Sequence, residues 1–341
     1  MKSKDHGAGA GDGGGGDVKF SAVRHVEISE AAGQRVDNYL LGLLKGVPKS
    51  RIYQMLRKGE VRVNSGRIKP TYRLSTGDRI RIPPVRESVA GAPMAPGARD
   101  LERLEAAVIF ENDAIMVLNK PAGIAVHGGS GVSFGVIEGL RQLRPGERLE
   151  LEHRLVRETS GCLLVAKGRA ALLELHAGLR ERTVKKRYAV LVSGQWPRKT
   201  RTVRLGLHRF VTASGERRVR VAQSGKPSRT DFEVVESADH ATWLRARPYT
   251  GRTHQIRVHA AASGHAVIGD AKYASGSQQR FAAALGIRGL CLHAEGLTLS
   301  FGGEQLRFSS PMPDDFRSGW EALRQYRDAL GSKHGTQRDQ R

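Results

Sequence analysis

Between residues 34 and 84 the apolar positions change period along the chain. Val36, Tyr39, Leu40, Leu43 and Leu44 recur at i, i+3, i+4, i+7 and i+8, one stripe on a helix. Ile52, Met55 and Leu56 repeat that spacing in a second helix, which Ser50 can cap and Gly59 stops. Val61 and Val63 then alternate with Arg62 and Asn64, and Ile80 and Ile82 alternate with arginines. Turn residues stand at Ser65-Gly66 and Gly77-Asp78. The pattern predicts helix, helix and then short half-buried strands, in a small first domain.

Residues 85–100, dense in Pro, Gly and Ala, predict a linker. Residues 101–325 mix the two periods. Strand-like runs fall at residues 115–118, 163–166, 188–192, 232–235 and 243–247, and helical ones near 134–143, 170–182 and 253–263. Strands outnumber helices and short turns join several neighbours, which predicts an α+β fold around a mixed or antiparallel sheet. The glycine-dominated residues 1–17 bury nothing and are expected to be disordered, and residues 332–341 form a polar tail.

Charge changes the picture. Lys plus Arg number 56 against 34 Asp plus Glu, a formal net charge of +22, and such an excess calls for an anionic partner. Lys49, Arg51, Arg57, Lys58, Arg62, Arg67 and Lys69 crowd the first domain, where acids are few, and are candidate RNA-binding residues. No stretch approaches the roughly 20 apolar residues that span a bilayer, and residues 1–16 lack the apolar core of a secretion signal. A cytoplasmic protein without a membrane partner is expected. Cys162 and Cys291 sit in apolar runs and read as small buried hydrophobes. The histidines show no metal-ligand spacing, so no metal is expected.

The most informative segment is HRLVRETSGCLLVAK, residues 153–167, a polar loop feeding a continuous apolar strand, which can hold reactive side chains rigidly. Lys186-Arg187-Tyr188 opens another strand. In GRTHQIRVH, residues 251–259, Thr253 can cap a helix carrying Arg257. With NKPAGIAVHGG (119–129), GVIEGLR (135–141), KKRYAVLVSG (185–194), GRTHQIRVHAAASGH (251–265) and LHAEGLTL (292–299), these segments resemble the RluA-type pseudouridine synthases. The likeness is greatest to the branch that acts on large-subunit (23S) ribosomal RNA. Residues 34–84, through RVDNYL, GVPKSRIYQMLRKGEVRVN and GDRIRI, resemble an S4 RNA-binding domain. The likeness runs from about residue 34 to 315.

The resemblance implies detachment of uracil from its ribose, rotation, and rejoining through C5, by a monomer without cofactor or metal. It also implies an aspartate acting at the sugar, a tyrosine stacking on the base at Tyr188, and a basic partner for the aspartate at Arg257. The aspartate is expected after the HRL triplet, and here that position is Val156. Valine has neither acidity nor nucleophilicity, so RNA binding with little or no isomerisation is expected. The alternatives are a non-catalytic RNA-binding or ribosome-assembly factor, or an active enzyme using Glu158. Without an acid at 156, Arg257 is expected to re-pair, with Glu158 as first choice, or to destabilise the protein. Arg154 is expected to steady the loop or touch RNA, and Lys120 and Asp270 to be structural.

Overall fold

The computed structural model describes residues 22–29, 31–44, 47–85, 96–128, 134–152, 155–197, 200–213 and 215–326. The expectations for residues 1–17, 332–341 and most of the linker lie outside the described residues. The chain divides into two compact units, residues 1–94 and 95–341.

The first unit runs β1 (Arg24–Glu27), α1 (Val36–Leu43), α2 (Lys49–Lys58), β2 (Arg62–Val63), β3 (Gly66–Arg67) and β4 (Arg79–Ile82). Its antiparallel sheet has the order β1-β4-β2-β3. The helical stripes bury Val36, Leu40, Ile52, Met55 and Leu56 against Val63, Ile80 and Ile82. Two details differ from the sequence reading. Strand β1 lies upstream of residue 34, too short for its alternation to be recognised. Ser50 does not cap α2, because the helix already begins at Lys49 behind Pro48 (φ −56°). Proline's fixed φ and missing N–H suit a helix start without a side-chain cap. Gly59, at φ 71°, ends the helix as expected.

The second unit opens with α3 (Ala98–Glu105), whose first turn occupies residues assigned to the linker, followed by β5 (Val108–Glu111), β6 (Ile115–Lys120) and α4 (Val136–Leu143). Next come β7 (Leu149–Leu151), β8 (Ser160–Lys167), α5 (Arg169–Glu181), β9 (Lys185–Ser193), β10 (Thr200–Val211), β11 (Arg217–Val221), β12 (Lys226–Ser237) and β13 (Ala241–Pro248). The chain continues with α6 (Gln255–Ala262), α7 (Gly276–Ala284), β14 (Leu292–Phe301), β15 (Glu304–Ser309) and α8 (Asp314–Gln325). These strands form one 11-stranded sheet, with a main path β11-β10-β12-β13-β9-β14-β8-β6-β5. Its pairings are antiparallel except β14 with β8, so the fold is α+β around a mixed sheet.

Alternation along β9 serves two cores. Tyr188, Val190 and Val192 face the cluster that also holds Leu155, Cys162, Phe232, Leu244, Ile256 and Ala260. Ala189 and Leu191 face the opposite cluster with Cys291, Phe316 and Trp320. Both cysteines are free and buried. Burial pushes their thiols up to about 11 and 12, respectively. Among the described residues, no helix is long and apolar enough to cross a membrane.

Candidate active site

The segment after the HRL triplet is a tight turn. Leu155 is buried, Val156 is half-buried, and the Thr159 N–H donates to the Val156 carbonyl at 3.0 Å. His153 and Arg154 lie outside the described residues. Arg157 pins the turn to the loop after β6. Its Nε donates to the Gly123 carbonyl and the Gly123 N–H returns a bond to its own carbonyl, both at 2.8 Å. Ser160 then enters β8, and its hydroxyl bonds His293 Nδ1 at 2.9 Å. The His293 Nε2 faces the Ser310 carbonyl, which can only accept, so Nε2 carries the proton and Ser160 donates. Gly161 is required here. Its φ is +106°, and a Cβ would stand 2.3 Å from the Ala294 carbonyl oxygen of β14.

Lys120 braces the same turn from inside. It is 0% exposed, and its Nζ donates to the carbonyls of Pro121 (2.8 Å), Ile124 (2.9 Å) and Arg157 (3.2 Å). Desolvation draws its ammonium down to about 7, and the charge of nearby Glu158 opposes this. Three carbonyl acceptors match the three N–H bonds of the charged form. The side chain is thus structural, as expected from the sequence.

Arg257 does not take Glu158 as its partner. On α6 it is 3% exposed and forms a two-pronged pair with Asp270, Nε to Oδ2 at 2.6 Å and Nη2 to Oδ1 at 2.5 Å. Asp270, 0% exposed, also accepts the N–H groups of Lys272 (2.8 Å) and Tyr273 (3.1 Å). Gly269 makes this loop possible, with φ +75° and the Gly289 carbonyl 1.9 Å from any added Cβ. Glu158 is exposed and within electrostatic reach of Lys120 and His254. The physical reason for the correction is solvation: a buried guanidinium needs a buried carboxylate, and an exposed acid keeps its water. One guanidinium nitrogen, Nη1, is buried without a hydrogen-bond partner among the described residues.

Helix α6 begins differently from the sequence reading. Thr253 is not its cap; His254 occupies that position at φ 53°. The Gln255 side chain holds the loop before the helix, accepting from the Thr250 hydroxyl (2.7 Å) and the Arg252 N–H (3.1 Å), and α6 has no side-chain cap. His254 Nδ1 lies 2.6 Å from the Tyr273 hydroxyl, which also accepts the Val219 N–H at 3.0 Å. That bond ties the edge strand β11 to the loop holding Asp270.

Tyr188 is 9% exposed in the apolar cluster that includes Leu155 and Ile256. Leu155 and Ile256, the neighbours in sequence of Val156 and Arg257, belong to the same cluster. Burial raises the Tyr188 phenol, with the charges of Cys162 and Glu152 adding to it.

Glu152 was missed by sequence reasoning. The alternation Leu149-Glu150-Leu151-Glu152 reads as a half-exposed strand with both glutamates in water. Strand β7 ends at Leu151, however, and Glu152 turns inward, 6% exposed. It lines a cleft of about 430 Å³ with His127, Ile137, Glu138, Arg141, Glu150 and Leu151. Burial raises its carboxyl to about 7, and Lys186 opposes the shift. A raised acid gives the folded state more bound protons, so stability falls as pH rises from roughly 4.3 through about 7. Glu152→Gln is expected to remove that loss, gaining about 1–3 kcal/mol over the parent at pH 8 and nothing at pH 4. Urea unfolding at the two pH values reads it, and an equal effect at both refutes it.

In the first unit, Lys58 and Lys69 are exposed and Lys49 lies 5.7 Å from the Tyr53 ring. Arg57 donates to the Tyr53 carbonyl. Arg51, expected as an unneutralised cation, is ion-paired with Glu60 at 2.7 Å. The acid lies nine residues away, across the turn that ends α2. Arg62 and Arg67 are exposed on β2 and β3.

Comparison with known proteins places this architecture. Residues 114–262 match the RNA pseudouridylate synthase family and residues 34–80 the S4 domain. The chain is 51% identical over 313 residues to ribosomal large subunit pseudouridine synthase C of Pasteurella multocida, covering 90% of this chain and 96% of that one. The corresponding protein of Escherichia coli K12 is 50% identical over 313 residues, covering 90% and 98%. Among solved structures, human RNA pseudouridylate synthase domain containing 1 is 29% identical with a TM-score of 0.53, covering 64% of this chain and 87% of that one. The extent of these matches places the chain in the RNA pseudouridylate synthase family, with an S4 domain ahead of the synthase domain.

Proposed function

We propose that this chain holds large-subunit (23S) ribosomal RNA on a pseudouridine synthase scaffold and that its isomerase activity is absent or severely impaired. The observation that carries the reading is Val156, a hydrocarbon where sugar-directed chemistry needs a carboxylate, in a site that otherwise keeps Tyr188 and Arg257. The protein acts as a monomer in the cytoplasm, without cofactor or metal. Its RNA contacts come from Lys49, Arg57, Lys58, Arg62, Arg67 and Lys69, with Arg154 at the loop and Arg51 reduced by its pair with Glu60. A second reading, a non-catalytic ribosome-assembly factor, is favoured by the Arg257–Asp270 pair, which leaves the buried guanidinium compensated without an acid at 156.

The test incubates the purified chain with large-subunit ribosomal RNA from a host lacking its own synthases and maps pseudouridine. Tight, salt-sensitive binding without new pseudouridine is expected; stoichiometric conversion sinks the claim of impairment.

Removing residues 1–94 is expected to weaken RNA binding and flatten its salt dependence, log K losing ~0.7–0.9 of slope per phosphate contact removed, while the second unit stays folded on its own core. Titrations across salt concentration and a thermal melt check this. Unchanged affinity and slope reject the gripping role of the first unit.

A further inference from the structure

The four-stranded sheet of the first unit turns Val63, Ile80 and Ile82 toward the helices, and its other face carries charge. Register aligns that charge. His25 on β1 stands opposite Arg81 on β4, Arg81 opposite Arg62 on β2, and Arg62 opposite Arg67 on β3. A row of four basic side chains thus crosses all four strands, over about 14 Å at the ordinary strand spacing. Arg79, also exposed, is one further cation beside it, and stands opposite Glu27 of β1.

Like charges directly opposite each other on paired strands destabilise a sheet. Neutralisation does not relieve them here, since no carboxylate among the described residues pairs with Arg62, Arg67, Arg79 or Arg81. Arg62 reaches only the carbonyls of Gly59 (3.4 Å) and Ser65 (3.5 Å), and Arg81 only that of Glu60 (3.4 Å). The Glu60 carboxylate itself is committed to Arg51. Protection of a sheet edge does not explain the row either, because charges that guard edges sit on edge strands. Arg81 and Arg62 occupy the two central ones. The surface is concave: His25, Gly59, Glu60, Arg62, Asn64, Ser65, Arg79 and Arg81 line a trough of about 800 Å³. An arginine-lined trough whose one acid, Glu60, is committed to Arg51 suits an extended polyanion, since each guanidinium fork can grip a phosphate through two parallel hydrogen bonds.

We propose that this sheet face is a second RNA-binding surface, separate from the lysines of α2. A sugar-phosphate backbone lies across the strands along His25, Arg81, Arg62 and Arg67. The apolar core stands between the two surfaces, so the unit engages two backbone segments rather than one. The inference rests on the RNA-binding reading above and adds His25, Arg79 and Arg81 to it.

The test uses the full chain and a large-subunit ribosomal RNA transcript, with Kd measured at a series of salt concentrations. Three variants are compared with the parent: Arg79→Gln with Arg81→Gln, Lys49→Gln with Lys58→Gln, and all four together. The sheet variant is expected to lower the slope of log K against log salt by ~1.4–1.8, as two lost phosphate contacts require. The helix variant should do the same, and the fourfold variant should lose the sum. Arg81→Lys keeps the charge and should keep the slope. Thermal melts accompany the titrations, and the sheet variant should melt close to the parent, because Arg81→Gln relieves the basic neighbours His25 and Arg62 while Arg79→Gln removes a cation opposite Glu27. Parental affinity and slope in the sheet variant, with loss in the helix variant, overturn the proposal and leave the RNA-binding reading standing. Absence of salt-dependent RNA binding in the parent overturns both. A sheet variant that weakens binding only by melting is exposed by Arg81→Lys: loss of slope there as well means a structural role and also overturns the proposal.

Discussion

Val156→Asp is expected to raise pseudouridine formation on large-subunit ribosomal RNA by on the order of 10⁴–10⁶-fold over the unmodified chain. Loss of a catalytic nucleophile elsewhere leaves only what binding and electrostatics supply, and restoring the group should recover the difference. The surroundings are ready for it. The turn is held by Arg157, Gly123 and the buried Lys120, so an aspartate enters a braced loop. Pseudouridine mapping with the parent, Val156→Asp and Glu158→Ala separates the readings. Activity in the variant alone supports the proposal. Activity in the parent that Glu158→Ala abolishes transfers the chemistry to Glu158. Inactivity of both parent and Val156→Asp favours the assembly factor.

Asp270→Asn is expected to cost about 3–5 kcal/mol of folding stability, the usual consequence of stranding one member of a buried ion pair. Asparagine keeps an oxygen for the Lys272 and Tyr273 N–H groups, so the loss isolates the charge pair. Arg257, almost wholly buried, would then carry its charge without a carboxylate. Denaturant unfolding measures the change, and Arg257→Met in the same background should recover part of it, because two uncharged groups no longer strand a buried ion. A loss below about 1 kcal/mol contradicts the buried pair as the support of Arg257.

Much of the scaffold was legible because it is written in local periodicity. The stripe from Val36 to Leu44 is a helix that buries Val36, Leu40 and Leu44 while leaving Leu43 exposed, and Cys162 to Ala166 is a buried strand that begins at Ser160. Other elements were not legible. The arginines and central glycine of residues 200–211 break up the alternation that would announce β10. Strand β1 is only four residues long. Capping at Ser50 and Thr253 was misplaced because both helices start without a side-chain cap, α2 behind Pro48 and α6 behind His254.

By itself the sequence determined the two domains' character, the basic charge, the family likeness and the missing acid at 156, all properties of residue identity and of spacing within a few turns of chain. Only the tertiary structure decided that Arg257 leans on Asp270 and not on Glu158, that Arg51 is neutralised while Arg62 and Arg81 are not, that Lys120 and Glu152 lose their water, and that four basic residues from four strands stand in one row. The reason is that burial and pairing of charges depend on which distant segments the fold brings together, and desolvation and Coulomb energy respond to that proximity rather than to order along the chain.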